Sequence, residues 1–287
     1  MDHATLIRLR RVTSALLPAP RLNVRSDEGS GPVIIMLHGI ASSSSQWEYL
    51  RPLLTPHFRC VAIDLLGFGA SPKPPWSAYT IDDHVRSLRA TIRGLKLRGG
   101  LNRGGLSRGR NPQDSVILMG HSLGSLIATR YAAKYPRDVR RLVLLSPPVY
   151  LPASQLATSA ARGLTNMYMA AYRYLREHKD FTLGNVDVIT KTLRLGGAFE
   201  LTEDTWEPFV RSLEQCIESQ TLITDITRVQ APVDVFYGGL DQLLIRDNLQ
   251  VIGAIRGVTL HSILTADHIV RKGYAAAVAK ELLKIPK

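Results

Sequence analysis

Gly120-His121-Ser122-Leu123-Gly124 matches the pattern G-x-S-x-G, and its setting gives the match weight. The apolar run SVILM precedes it and the helical pattern LGSLIATRYAAKY follows. A serine on such a sharp strand-to-helix turn is presented to substrate at a helix amino terminus, where backbone N–H groups can receive an oxyanion. The same five-residue expression recurs at Gly105-Leu106-Ser107-Arg108-Gly109. That copy has neither a strand before it nor a helix after it, so nothing would hold Ser107 in an oriented turn. Ser122 is the candidate nucleophile, and a merely structural Gly-rich turn is the competing reading.

A serine hydroxyl attacks only when a base removes its proton and an acid orients that base. Chains built on this elbow place them in the order Ser, acid, His. Of the histidines after Ser122, only His268 follows a strand in a loop before a helix (SILTADHIVRKG), whereas His261 falls inside the strand. For the acid, VDVFYG runs into Gly239-Leu240-Asp241, which puts Asp241 at the same strand edge. Asp234 sits within a strand, Asp247 on the next helix, and Asp267 reads as a cap for the last helix. The oxyanion donors expected are the backbone N–H groups of Leu123 and Ile40, the latter in the loop Leu37-His38-Gly39-Ile40. His38 reads as a residue that shapes this loop. Ser42 to Ser45 are polar enough to bind substrate or to cap the next helix.

These residues need a frame, and the chain supplies one. Short Val-, Ile- and Leu-rich runs mark strands at Val33–Leu37, Cys60–Leu65, Ser115–Met119, Arg141–Leu145, Val233–Tyr237 and Thr259–Leu264. Helical periodicity occupies Ser45–Leu54, Ile81–Leu97, Leu123–Lys134, Leu243–Ile255 and Val270–Leu283. The alternation predicts an α/β fold with a doubly wound, mostly parallel sheet. Residues 147–228 are too long for a connection and read as a helical lid over the carboxyl ends of the strands, between core segments 1–146 and 229–287. Leu164, Met167, Tyr168, Ala171, Tyr172 and Leu175 follow helical spacing there. They either pack the lid or line an apolar pocket, which makes Met167, Tyr168 and Tyr172 candidate substrate contacts.

The motifs HGI, DLLGFGASPKP, GHSLGS, GGLDQLL and ADH, in this order, resemble the α/β-hydrolase superfamily over about residues 30–146 and 229–287. The resemblance implies an eight-stranded or shortened sheet, a Ser122–Asp241–His268 triad and a lid in the intervening segment. Its usual amino-terminal hairpin is not evident, since residues 1–20 read as helical. Dehalogenases and epoxide hydrolases of the superfamily carry an aspartate where this chain has Ser122, which argues against those activities. The implied reaction is hydrolysis of a small to medium hydrophobic ester through an acyl-enzyme. A carbon–carbon bond hydrolase of vinylogous ketoacids would use the same triad, and a non-catalytic binding protein would be expected to lose a member of it.

Composition excludes other classes. Hydrophobic residues at 45% and charged residues at 21% suit an ordinary globular chain. The net charge of +12 is concentrated: residues 1–25 hold +4 and residues 93–110 hold +6. The first segment reads as a basic helix and the Gly/Arg-rich stretch 94–112 as a flexible loop. Neither interleaves aromatics for base stacking, so no nucleic-acid partner is expected, though both admit a weak contact with an anionic membrane surface. No Walker or metal-ligand pattern appears, and Pro72 spoils the nucleotide reading of Asp64–Gly69, so no cofactor or metal is expected. Cys60 and Cys216 read as buried free thiols. The amino terminus lacks the continuous apolar run of a secretory signal, giving a cytoplasmic expectation, and no stretch reaches the ~20 apolar residues of a membrane span.

Overall fold

The computed structural model describes residues 2–95, 115–151, 158–196 and 199–284. The Gly/Arg-rich loop, with its second G-x-S-x-G match, lies outside these apart from its first residues. Seven strands form one sheet: β1 (Val24–Glu28), β2 (Val33–Leu37), β3 (Arg59–Ile63), β4 (Val116–His121), β5 (Val139–Leu145), β6 (Val233–Gly238) and β7 (Val258–Ile263). Their order is β1-β3-β2-β4-β5-β6-β7, with β1 antiparallel to β3 and every other pairing parallel. The six strands expected from apolar runs lie within two residues of their predicted bounds. β1 was not foreseen because VRSDE has no apolar alternation; it is an edge strand, where charge protects an unpaired ladder.

Alternation along the strands fills a core on each face. Ile35, Leu37 and Leu118 join one, while Ile34, Met36, Ile117 and Met119 join the other. Helices α3 (Ile81–Gly94) and α4 (Leu123–Lys134) pack into the first, and α2 (Arg51–Leu54) and α11 (Lys272–Leu282) into the second. The single helix expected over Ser45–Leu54 is instead a 3-10 turn, Ser44–Glu48, followed by α2, whose first turn contains Pro52. The helix expected from Leu243 begins later, as α10 (Arg246–Gly253).

Between β5 and β6 the described residues form helices only: α5 (Ser159–Glu177), α6 (Lys179–Gly184), α7 (Val186–Thr192), α8 (Glu203–Ser212), a π-helical stretch Leu213–Glu218, and α9 (Leu222–Ile226). Phe209, Leu213 and Ile217 of this segment share the first core with α3 and α4. The amino terminus is helix α1 (His3–Leu16), pinned to α3 by the Ser14 hydroxyl on Asp83 and by Arg86 on the Ser14 and Leu17 carbonyls.

Candidate active site

Ser122 stands between β4 and α4 with φ 50° and ψ −118°, a conformation side-chain-bearing residues rarely adopt. Two close approaches make the turn possible. A Cβ at Gly120 would lie 2.2 Å from the Gly124 carbonyl oxygen, and one at Gly124 would lie 2.4 Å from that of Leu37. Only glycine at both places lets helix, elbow and β2 meet this closely, which is the physical content of the motif. Leu123, the first residue of α4, has an N–H without an acceptor in its own helix.

The loop after β2 packs against this elbow: a Cβ on Gly39 would sit 3.3 Å from the Ser122 Cβ. His38 fixes the loop, its Nε2 accepting from the Leu65 N–H (2.8 Å) while Nδ1–H donates to the Gly39 carbonyl (2.7 Å). Complete burial pushes its pKa down, so the ring acts as a neutral brace. Gln46 adds a second brace, its Oε1 accepting from the Gly39 N–H at 3.3 Å and from the Ser42 hydroxyl at 3.4 Å. Asp64 organises the neighbouring DLLGFG turn. Its carboxylate accepts from the N–H groups of Ser44 and Ala70 and from the Asn23 amide, and these bonds outweigh burial to hold its pKa below the usual range.

His268 and Asp241 arrive from the loops after β7 and β6. His268 Nδ1 and Asp241 Oδ2 are 2.8 Å apart, with both side chains buried. Burial pushes the Asp241 carboxyl up, but the His268 imidazole, the Leu243 N–H (2.9 Å) and the Ser146 hydroxyl prevail and hold it below its ordinary value. The Leu243 bond also explains the late start of α10, since residues 241–243 serve the carboxylate. Ser146, at the end of β5 with φ 45°, is a participant the sequence did not single out. His121 is another: its Nε2–H donates to the His268 carbonyl at 2.8 Å and its ring lies 4.9 Å from that of His268. Burial drives its pKa down to about 3, so it bridges the nucleophile and histidine loops as a neutral ring.

Ser122, His121, His268, Ile40 and Gln46 line one cavity of about 90 Å³. Ser42 joins them, and most of the remaining wall is apolar, including Leu175, Ile189, Leu195, Phe199 and Leu213 from the helical segment. Of the three candidate substrate contacts, Tyr172 lines the cavity, its hydroxyl 2.7 Å from that of Tyr150. Met167 and Tyr168 do not. Met167 is 53% exposed, at one edge of the α5 stripe, and Tyr168 turns its hydroxyl onto the Gln242 carbonyl. The spacing identified the helix but not how much of its apolar stripe reaches the cavity.

The rejected acids and bases have other duties. His261 Nε2 pairs with Asp234 at 2.9 Å, and Arg141 holds the other oxygen of that carboxylate at 2.6 Å. Asp247 accepts from the Thr158 hydroxyl. Asp267 does not cap the last helix, as its position suggested, but accepts from the Ile269 N–H and pairs with Arg271. Both cysteines are buried free thiols, and no cluster of three metal-ligating side chains occurs among the described residues.

A family model described as the alpha/beta hydrolase fold matches residues 32–271. The chain belongs to this family. Among curated members it is 26% identical over 276 residues to "Probable lysophospholipase BODYGUARD 2" of Arabidopsis thaliana, covering 82% of this chain and 54% of that protein. It is 36% identical over 141 residues to "2-(acetamidomethylene)succinate hydrolase" of Mesorhizobium japonicum, covering 49% and 44% respectively. The chain thus spans about half the length of these alpha/beta hydrolase relatives. The solved esterase EaEST of Exiguobacterium antarcticum superposes with a TM-score of 0.69 at 18% identity, over 92% of this chain and 98% of that one. That likeness is one of fold.

Proposed function

We propose that this alpha/beta hydrolase is a serine hydrolase that cleaves a small to medium, uncharged hydrophobic ester. In this reading Ser122 attacks the carbonyl as His268 takes its proton, and Asp241 holds the imidazole tautomer. The N–H groups of Ile40 and Leu123 receive the oxyanion, and His268 then activates the water that frees the acyl group. The helical segment acts as the lid, with Tyr172 among its substrate contacts. The observation that carries the proposal is the buried 2.8 Å contact between His268 and Asp241 beside a cavity in which Ser122 sits on a strained elbow.

The cavity lining favours an ester over a vinylogous ketoacid. No lysine or arginine is among the described residues that line it, and desolvating a substrate carboxylate without a cation costs several kcal/mol. An acyl chain carries no such penalty.

Ser122→Ala should abolish turnover of a chromogenic medium-chain ester and labelling by a fluorophosphonate, with an unchanged circular dichroism spectrum. Residual labelling of the variant at the wild-type rate would refute the assignment. Faster turnover of a dienoic ketoacid than of any ester in a panel would overturn the substrate class.

A further inference from the structure

Helix α1 keeps an apolar face turned to solvent. Its inward side combines half-buried Leu6 and Ile7 with Arg10 beside Glu207 and Ser14 on Asp83. Its outward side carries Leu9, Val12 and Leu16, spaced three and four apart on one face and 54%, 58% and 80% exposed. The polar bonds, together with Arg86 on the Ser14 and Leu17 carbonyls, prevent the helix from rolling to hide that face. Exposed Arg8 and Arg11 flank it. A contiguous apolar face on a basic helix is the pattern of an element that lies in a membrane interface.

We propose that the outer face of α1 docks on an anionic lipid bilayer. Charge decides for a lipid surface over a second copy of the chain: α1 carries Arg8, Arg10 and Arg11 and no acid, and like-charged helices repel each other but not an anionic leaflet. Docking stands independently of the ester reading, because partition is measured without turnover.

The test is co-sedimentation with phosphatidylcholine vesicles, with and without phosphatidylglycerol, comparing the chain with a Leu9→Ser/Val12→Ser/Leu16→Ser variant. The wild-type chain should pellet with the anionic vesicles and be released by added salt. The triple variant should partition about ten-fold less while keeping its helix content and its turnover of a water-soluble ester. Absence of pelleting, or equal pelleting of the two chains, overturns the proposal. So does a dimer in sedimentation velocity that the triple substitution abolishes, which would assign the face to a second copy. Loss of ester turnover in both chains would count against the hydrolase reading alone.

Discussion

At Ser122 the backbone is held at φ 50° because β4 and α4 leave the elbow no other path. Such a conformation costs a side-chain-bearing residue on the order of 1–3 kcal/mol, and glycine avoids most of that while losing about 0.5–1 kcal/mol of chain entropy. Ser122→Gly should therefore be more stable than Ser122→Ala by about 1 kcal/mol, read from urea midpoints. Equal midpoints would show that the strain lies elsewhere. Ser122, Asp241 and His268 could be placed at one sheet edge from the sequence because each lies within five residues after a strand that an apolar run or a short motif marks. Gln46, Ser146 and the bridging role of His121 were not legible. Their partners lie in other segments, and a glutamine that braces a glycine N–H looks in sequence like any polar helix residue.

Among the elements, the strands and α4 were readable because buried runs have sharp ends, whereas the helical segment gave its class but not its facing. One stretch of it is clipped to the core at two places. Arg271 donates to the carbonyls of Arg194 and Gly196, and the hydroxyls of Ser43 and Ser45 donate to Glu200 Oε1 at 3.0 and 3.2 Å. The Ser42–Ser45 run thus spends two of its hydroxyls on holding this stretch of the helical segment. Leu195 and Phe199, between these clips, line the cavity. Glu200→Ala should loosen one end, leaving only the Glu200 N–H on the Ala41 carbonyl, and raise KM for a medium-chain ester by up to about ten-fold, the equivalent of two modest hydrogen bonds, with kcat changed less. A kcat loss at constant KM would place Glu200 in the chemistry instead.

For the molecule as a whole, three buried neutral histidines tie stability to pH. Burial pushes the pKa of His38 down and those of His84 and His121 to about 3. In the unfolded chain they titrate near 6.5, so below that pH the unfolded state takes up protons the folded state refuses. Stability is therefore complete above about pH 6.5 and falls toward pH 3, by up to ~1.4 kcal/mol per pH unit for each group. Asp64 and Asp241, held low, extend the loss at the acid end, as each contributes above its unfolded pKa and ceases to as pH falls through its folded one. His84, bonded to Ser212 away from the cavity lining, isolates one share. Chemical denaturation of His84→Gln between pH 7 and 5 should show a shallower slope, and an unchanged slope would exclude His84 from the linkage. The sheet itself imposes a different kind of consequence. The helical segment leaves after β5 and returns at β6, two adjacent parallel strands locked in register from Leu142–Val233 to Leu145–Phe236. Its attachment points are thus pinned by the ladder, while Phe209, Leu213 and Ile217 between them fill the core beside α4. A helical insert grafted between the same two strands would have to refill that core, with Ser122, Asp241 and His268 left on their original supports.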